Sequence, residues 1–131
     1  MMKQVSRLIS ICLLLFGWTQ ASAQSEAVVA LRSAKSIYVK SSSLLVGRSV
    51  IEEKLQKRAE FSQMGLVITR SELDADIILE VHHDVFTKYV YTAIDSKRNI
   101  VVASGKLSSL GGTVAGKVAK RFMKQVMQAR I

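Results

Sequence analysis

The stretch DIILEVHHDVFTKYVYTAIDSKRNIVVASGKL, residues 76–107, decides the fold of this chain. Ile77, Leu79 and Val81 recur at every second position, the period of a strand with one buried face. VFTKYVYTAI gives a second such run and NIVVASGKL a third. DSKRN, between the last two, has a hairpin's length and turn residues. Three consecutive strands therefore fold back on one another.

Toward the N-terminus the pattern changes. SELDAD turns the chain and LVITR reads as a short strand. Before them Val50, Ile51, Leu55, Ala59, Phe61 and Met64 share one side of a helix, with Glu52, Glu53, Lys54, Lys57 and Arg58 left wet. Ser49 followed by Glu52 is a capping box that signs the start, and Gly65 is free to take the left-handed conformation that ends it. SIYVKS alternates as a first strand, and Gln24 to Lys35 reads as a loose lead-in. The order is β-α-β-β-β-β-α. It predicts an α+β domain over 36–131 with a mixed, mostly antiparallel sheet and two helices on one face, the first β-α-β unit giving a parallel pair.

The closing helix runs from Thr113 to the end. Val114/Ala115, Val118/Ala119, Phe122/Met123 and Val126/Met127 form an apolar stripe, with Lys117, Lys120, Arg121 and Lys124 on the complementary side. GGTVAGKV, residues 111–118, falls one residue short of a phosphate-binding loop, because Val118 stands where a Ser or Thr hydroxyl should meet Mg²⁺. Val118 belongs to the buried stripe, and no acidic residue follows Lys117. Nucleotide binding is therefore not expected; Gly111 and Gly112 let the chain turn and Thr113 caps the helix.

The opening MMKQVSRLISICLLLFGWTQASAQ reads as a secretory signal. Lys3 and Arg7 form a positive n-region, Leu8 to Trp18 an apolar core, and Ala21-Ser22-Ala23 a cleavage box. Cleavage after Ala23 is expected, with residues 24–131 exported and not membrane-spanning, since the apolar run is shorter than the roughly 20 residues a bilayer demands. Cys12, the chain's one cysteine, would leave with the signal, which excludes disulfides and thiolate chemistry from the exported part. The full sequence carries net charge +9, and every charged residue from Lys106 onward is basic. Aromatics are not interleaved with those bases, which argues against a nucleic-acid surface.

One segment carries candidate chemistry. In EVHHD a strand would place Glu80, His82 and Asp84 on one face, a set that could in principle grip a metal or orient a base. Its bland reading is a polar, solvent-facing strand surface.

Ala75-Asp76 leading into an apolar strand, an alternating strand ending at Ile94-Asp95, a short basic turn, IVVASG with Gly105 and then a helix form a larger pattern. Over residues 36–128 it resembles the small α/β domain of bacterial envelope accessory proteins, such as the curli secretion-channel subunit and the lipoprotein activators of peptidoglycan synthases. Departures are a missing lipobox cysteine, Arg98-Asn99 in place of the turn glycine, and no long insertions to enter a membrane, so pore formation is not implied. The resemblance implies the sheet-and-helix plan and an exported binding role, and it brings no catalytic residue. The resulting expectation is a periplasmic or secreted, non-enzymatic accessory protein with no cofactor. Lys117, Lys120, Arg121 and Lys124, with whichever strand edge is uncovered, would engage an envelope protein or anionic envelope component. A metal-assisted hydrolase at Glu80, His82 and Asp84 is the alternative.

Overall fold

A computed structural model describes residues 25–108 and 113–131. The expected signal segment, Cys12, and the Gly111-Gly112 turn lie outside the described residues. The described chain forms a helix α1 over 25–33, β1 (Ser36–Ser41), α2 (Arg48–Gln56), α3 (Ala59–Gln63), β2 (Val67–Ile68), a 3₁₀ turn at Glu72–Asp74, β3 (Ile77–His83), β4 (Lys88–Asp95), β5 (Ile100–Ser108) and α4 (Val114–Ala129). The five strands lie in the order β2-β1-β3-β4-β5. β1 runs parallel to both β2 and β3, while the two longer pairings, β3 with β4 and β4 with β5, are antiparallel. The α+β plan with a mixed sheet is thus the one the sequence predicts.

One face of the sheet is the core. Ile37, Val39, Ile77, Leu79, Val81, Tyr91 and Ala93 are at most 1% exposed and meet Ile51 and Leu55 of α2 and Val118, Phe122, Met123 and Val126 of α4. The opposite face carries Tyr38, Ile78, Thr92 and Ile94, half-buried, and Val101, exposed.

Four differences from the sequence reading have identifiable causes. The lead-in is helical: α1 buries Ala30 and Leu31, with Ala34 just beyond it. The guanidinium of Arg32 donates to the Ala129 carbonyl at 3.0 Å, and that of Arg130 to Ala34 and Met64 at 2.6 and 3.2 Å. Tertiary contact, not propensity, makes this helix. The single helix expected over 49–64 is two, broken around Lys57 and Arg58. Its capping box is not used, because Gly47 is the N-cap and the Glu52 carboxylate instead takes a 2.8 Å bond from Arg48. Gly65 does end α3 as expected, at φ 68°. Finally, β4 starts at Lys88 rather than Val85, since Phe86 at φ 57° turns the chain, and a bulge between Ala93 and Ile94 shifts the register against β5.

The acids of the recognised pattern pin one end of the sheet. Asp76 accepts N–H bonds from Lys35 and Ser36 at 2.9 and 3.2 Å, joining the start of β1 to the start of β3. Asp95 accepts the Lys97 and Arg98 N–H groups at 3.0 and 3.4 Å and so shapes the DSKRN turn. Burial alone would push the Asp76 carboxyl up, but the Lys35 and Ser36 N–H groups and the Lys97 ammonium outweigh it and hold it below its ordinary value of 3.8. A carboxyl depressed by folding adds stability that is present above its unfolded pKa and is lost as pH falls through the folded one. Asp76→Asn is expected to lower stability by about 1 kcal/mol at neutral pH and to flatten its decline below about pH 4. Urea unfolding across that range checks this; curves that stay parallel down to the acid limit would show that Asp76 contributes no such linkage.

Candidate functional site

The basic side of α4 divides into two functions. Lys117 donates to the Ser108 carbonyl at 2.7 Å, Arg121 to the Lys106 carbonyl at 2.7 Å and Gln125 to the Ser104 carbonyl at 3.1 Å. Four helical residues rise about 6 Å and two strand residues about 6.8 Å, so side chains at i, i+4 and i+8 can meet every second carbonyl of a strand running alongside. β5 is the outer strand of the sheet, and these carbonyls face away from β4. The helix therefore covers an edge that would otherwise offer itself for pairing. Gln125 also accepts the Tyr91 hydroxyl at 2.7 Å. Burial pushes the Tyr91 phenol up, with Arg121 opposing.

Of the four residues singled out in the sequence, Lys117 and Arg121 thus serve the sheet edge. Lys120 and Lys124 are exposed and make no hydrogen bond or ion pair among the described residues. Beside α4 the sequence reading missed a second set of bases. A cleft of about 450 Å³ between the α2–α3 junction and the first turns of α4 is lined by Lys54, Lys57, Arg58, Ala59, Glu60, Gly116 and Ala119. Lys57 pairs with Glu53 at 2.7 Å and Arg58 with Glu60 at 3.3 Å, while the Arg58 Nε is buried without a partner. These cations had been legible as the wet side of a helix; the break between α2 and α3 that turns them toward α4 was not.

The would-be phosphate loop is a helix start. Val118 is fully buried, and the Thr113 hydroxyl accepts the Gly116 N–H at 3.3 Å as an N-cap.

EVHHD is more connected than its spacing suggests. Glu80 Oε2 lies 3.2 Å from His82 Nε2, and His82 Nδ1 lies 2.9 Å from the Ser42 hydroxyl at the end of neighbouring β1. Asp84 stands past the strand end, where its N–H donates to the Lys88 carbonyl at 2.9 Å. No group of three His, Cys, Asp or Glu among the described residues could hold a metal ion, so the three-residue set that the alternative reading requires is not assembled. A hydroxyl, imidazole and carboxylate in series is the arrangement that activates serine in hydrolases. Here Ser42 and His82 are exposed and line neither the cleft beside α4 nor the one at the Asp76–Asp95 end of the sheet. His83 lies on the other side, with its ring 4.8 Å from that of Tyr89. A second cleft, of about 270 Å³, opens at the pinned end of the sheet between Ala30, Ser33, Ala34, Asp76, Asp95, Lys97 and Arg98. Its two carboxylates are engaged by the backbone bonds given above.

No family model matches the chain, and no curated protein matches it. Among solved structures, a dodecamer of a PelC variant from Paraburkholderia phytofirmans is similar at 17% identity and a TM-score of 0.38, over 76% of this chain and 90% of that one. No helix among the described residues is long and apolar enough to cross a membrane.

Proposed function

We propose that the protein is an exported, non-enzymatic accessory protein of the bacterial envelope that binds an anionic envelope component. The observation that carries this reading is the basic surface built by two elements: Lys120 and Lys124 on α4, without partners among the described residues, beside a cleft lined by Lys54, Lys57 and Arg58. Each exposed lysine holds little by itself, but a row of bases flanking a cleft gives an extended anion several contacts at once. The N-terminal signal pattern, Lys3 and Arg7 followed by Leu8–Trp18 and Ala21-Ser22-Ala23, supports export to the periplasm. Lys117 and Arg121 belong to the same surface while also holding β5.

Lys120→Glu with Lys124→Glu tests the reading without disturbing the β5 edge. Wild type should stay on a heparin or lipid-A column at about 0.2 M salt, where nonspecific surface attraction is largely screened, and the double variant should elute at about 0.1 M or below. Co-elution of the two at every salt concentration would remove the α4 surface from the proposal.

A further inference from the structure

Four large apolar side chains stand in water at one end of the molecule. β1, β3 and β5 finish at this end and β4 begins there. The loop after β1 carries Leu44 and Leu45, 103% and 77% exposed, and the β3–β4 turn carries Val85 and Phe86, 54% and 88% exposed. The two loops are neighbours, since the Ser42 N–H donates to the Val81 carbonyl at 3.0 Å and the Ser42 hydroxyl meets His82. Phe86 sits in the left-handed region at φ 57°, where side chains other than glycine rarely go. Bonds from Asp84 N–H to the Lys88 carbonyl and from Lys88 N–H to the Val85 carbonyl, at 2.9 and 3.1 Å, hold that turn in place. A strained backbone held so as to keep an aromatic ring in solvent points to a use for the ring.

The shape and charge of this end indicate what covers it. Leu44, Leu45 and Phe86, with most or all of their surface in water, form projecting tips rather than a groove or a flat face, and Val85 stands half-exposed at the base of the second. A folded partner would need a matched socket for each tip, whereas a fluid acyl layer accepts them without one. Lys88 stands at the foot of the turn and is paired in register with Ser108, whose carbonyl holds the Lys117 ammonium; Lys106 lies two residues away on β5. The acids toward this side are Asp84 and Glu80, with Glu52 taken by Arg48, Glu53 by Lys57 and Glu72 by Lys40. Asp74, Asp76 and Asp95 all lie at the opposite end of the sheet. We infer that the Leu44–Leu45 loop and the Val85–Phe86 turn dip together into an anionic lipid surface, with the surrounding lysines on the headgroups. The apolar tips, Lys88 and Lys106 are separate from the α4 and α2 cations, so the contact goes beyond the function proposed above.

The full chain is mixed with vesicles of phosphatidylglycerol and phosphatidylethanolamine, and with phosphatidylcholine vesicles for comparison. Wild type and a Leu44→Ser, Leu45→Ser, Phe86→Asn variant share residues 1–24, so any difference belongs to the tips; asparagine tolerates the left-handed turn. The anionic vesicles are expected to bind wild type at least about tenfold more tightly than the variant, from the apolar groups no longer buried. Phe86→Trp in a Trp18→Phe background should be quenched by lipids brominated on their acyl chains, and it should remain quenched when Lys120 and Lys124 are changed to Glu. Equal vesicle binding by wild type and variant, an unquenched Trp at 86, or a dimer that the tip substitutions dissolve would each overturn the inference. Loss of column retention in the lysine variant leaves the Trp readout untouched, so the two readings fail separately.

Discussion

Gly105→Val is expected to lower the unfolding free energy by about 2–3 kcal/mol, from overpacking in a filled core. Gly105 lies opposite Tyr91 in the β4–β5 register, and a Cβ built on it would come within 2.5 Å of the Tyr91 ring and 2.9 Å of its hydroxyl oxygen. The ring has little room to yield. It is 1% exposed, and its hydroxyl is held by Gln125 of α4. Glycine is therefore required here for close approach, with the aromatic ring covering the backbone that the missing side chain leaves bare. Adding Tyr91→Leu to the valine variant should recover part of the loss, a coupling expected only between residues in contact. Urea unfolding of the four proteins of that cycle gives the answer; additive losses would mean that the clash is relieved elsewhere.

Phe122→Ala should cost more, about 3–5 kcal/mol, the range for removing a fully buried aromatic ring. Phe122 is 0% exposed at the centre of the α4 stripe, between Val118 and Val126, each at most 2% exposed. A single domain of this size has a stability of only about 5–15 kcal/mol, so the variant would be partly unfolded under mild conditions. Phe122→Leu, which keeps most of the volume, should lose less than half as much. Thermal melts of the three chains distinguish packing from a local role of the helix: similar losses for Ala and Leu would show that the ring's shape, not its volume, matters.

What the sequence shows depends on the range of the interaction. Alternation through Ile77, Leu79 and Val81 and the four-residue stripe of α4 are local periods, and the buried faces lie where the periods put them, except that Met127 at the end of the stripe is 42% exposed. Gly65 and Thr113 are likewise local signals, read from neighbours within one turn. Helix α1 has no strong local signal, because its anchors are Ala129 and Arg130 nearly 100 residues away. Ser49 and Glu52 form a well-spelled capping box that goes unused, since Arg48 competes for the carboxylate. The candidate site divides in the same way. The bases of α4 could be counted in sequence, but the engagement of Lys117 and Arg121 with β5 depends on a helix and a strand lying side by side. Ser42 meets His82 across 40 positions of sequence, a contact that spacing within EVHHD could not show.

The cover over β5 also bears on the order of events during folding. The strand and the helix that shields it are neighbours along the chain, β5 ending at Ser108 and α4 beginning at Val114. Closing so short a loop takes on the order of tens of nanoseconds, against microseconds or longer for pairings that join distant segments. The interval in which β5 could recruit a strand from another molecule is therefore brief. The carbonyls of Ser104, Lys106 and Ser108 have their partners in the helix nearest in sequence, whose docking needs only a short loop to close, whereas an intermolecular competitor must first diffuse to the edge.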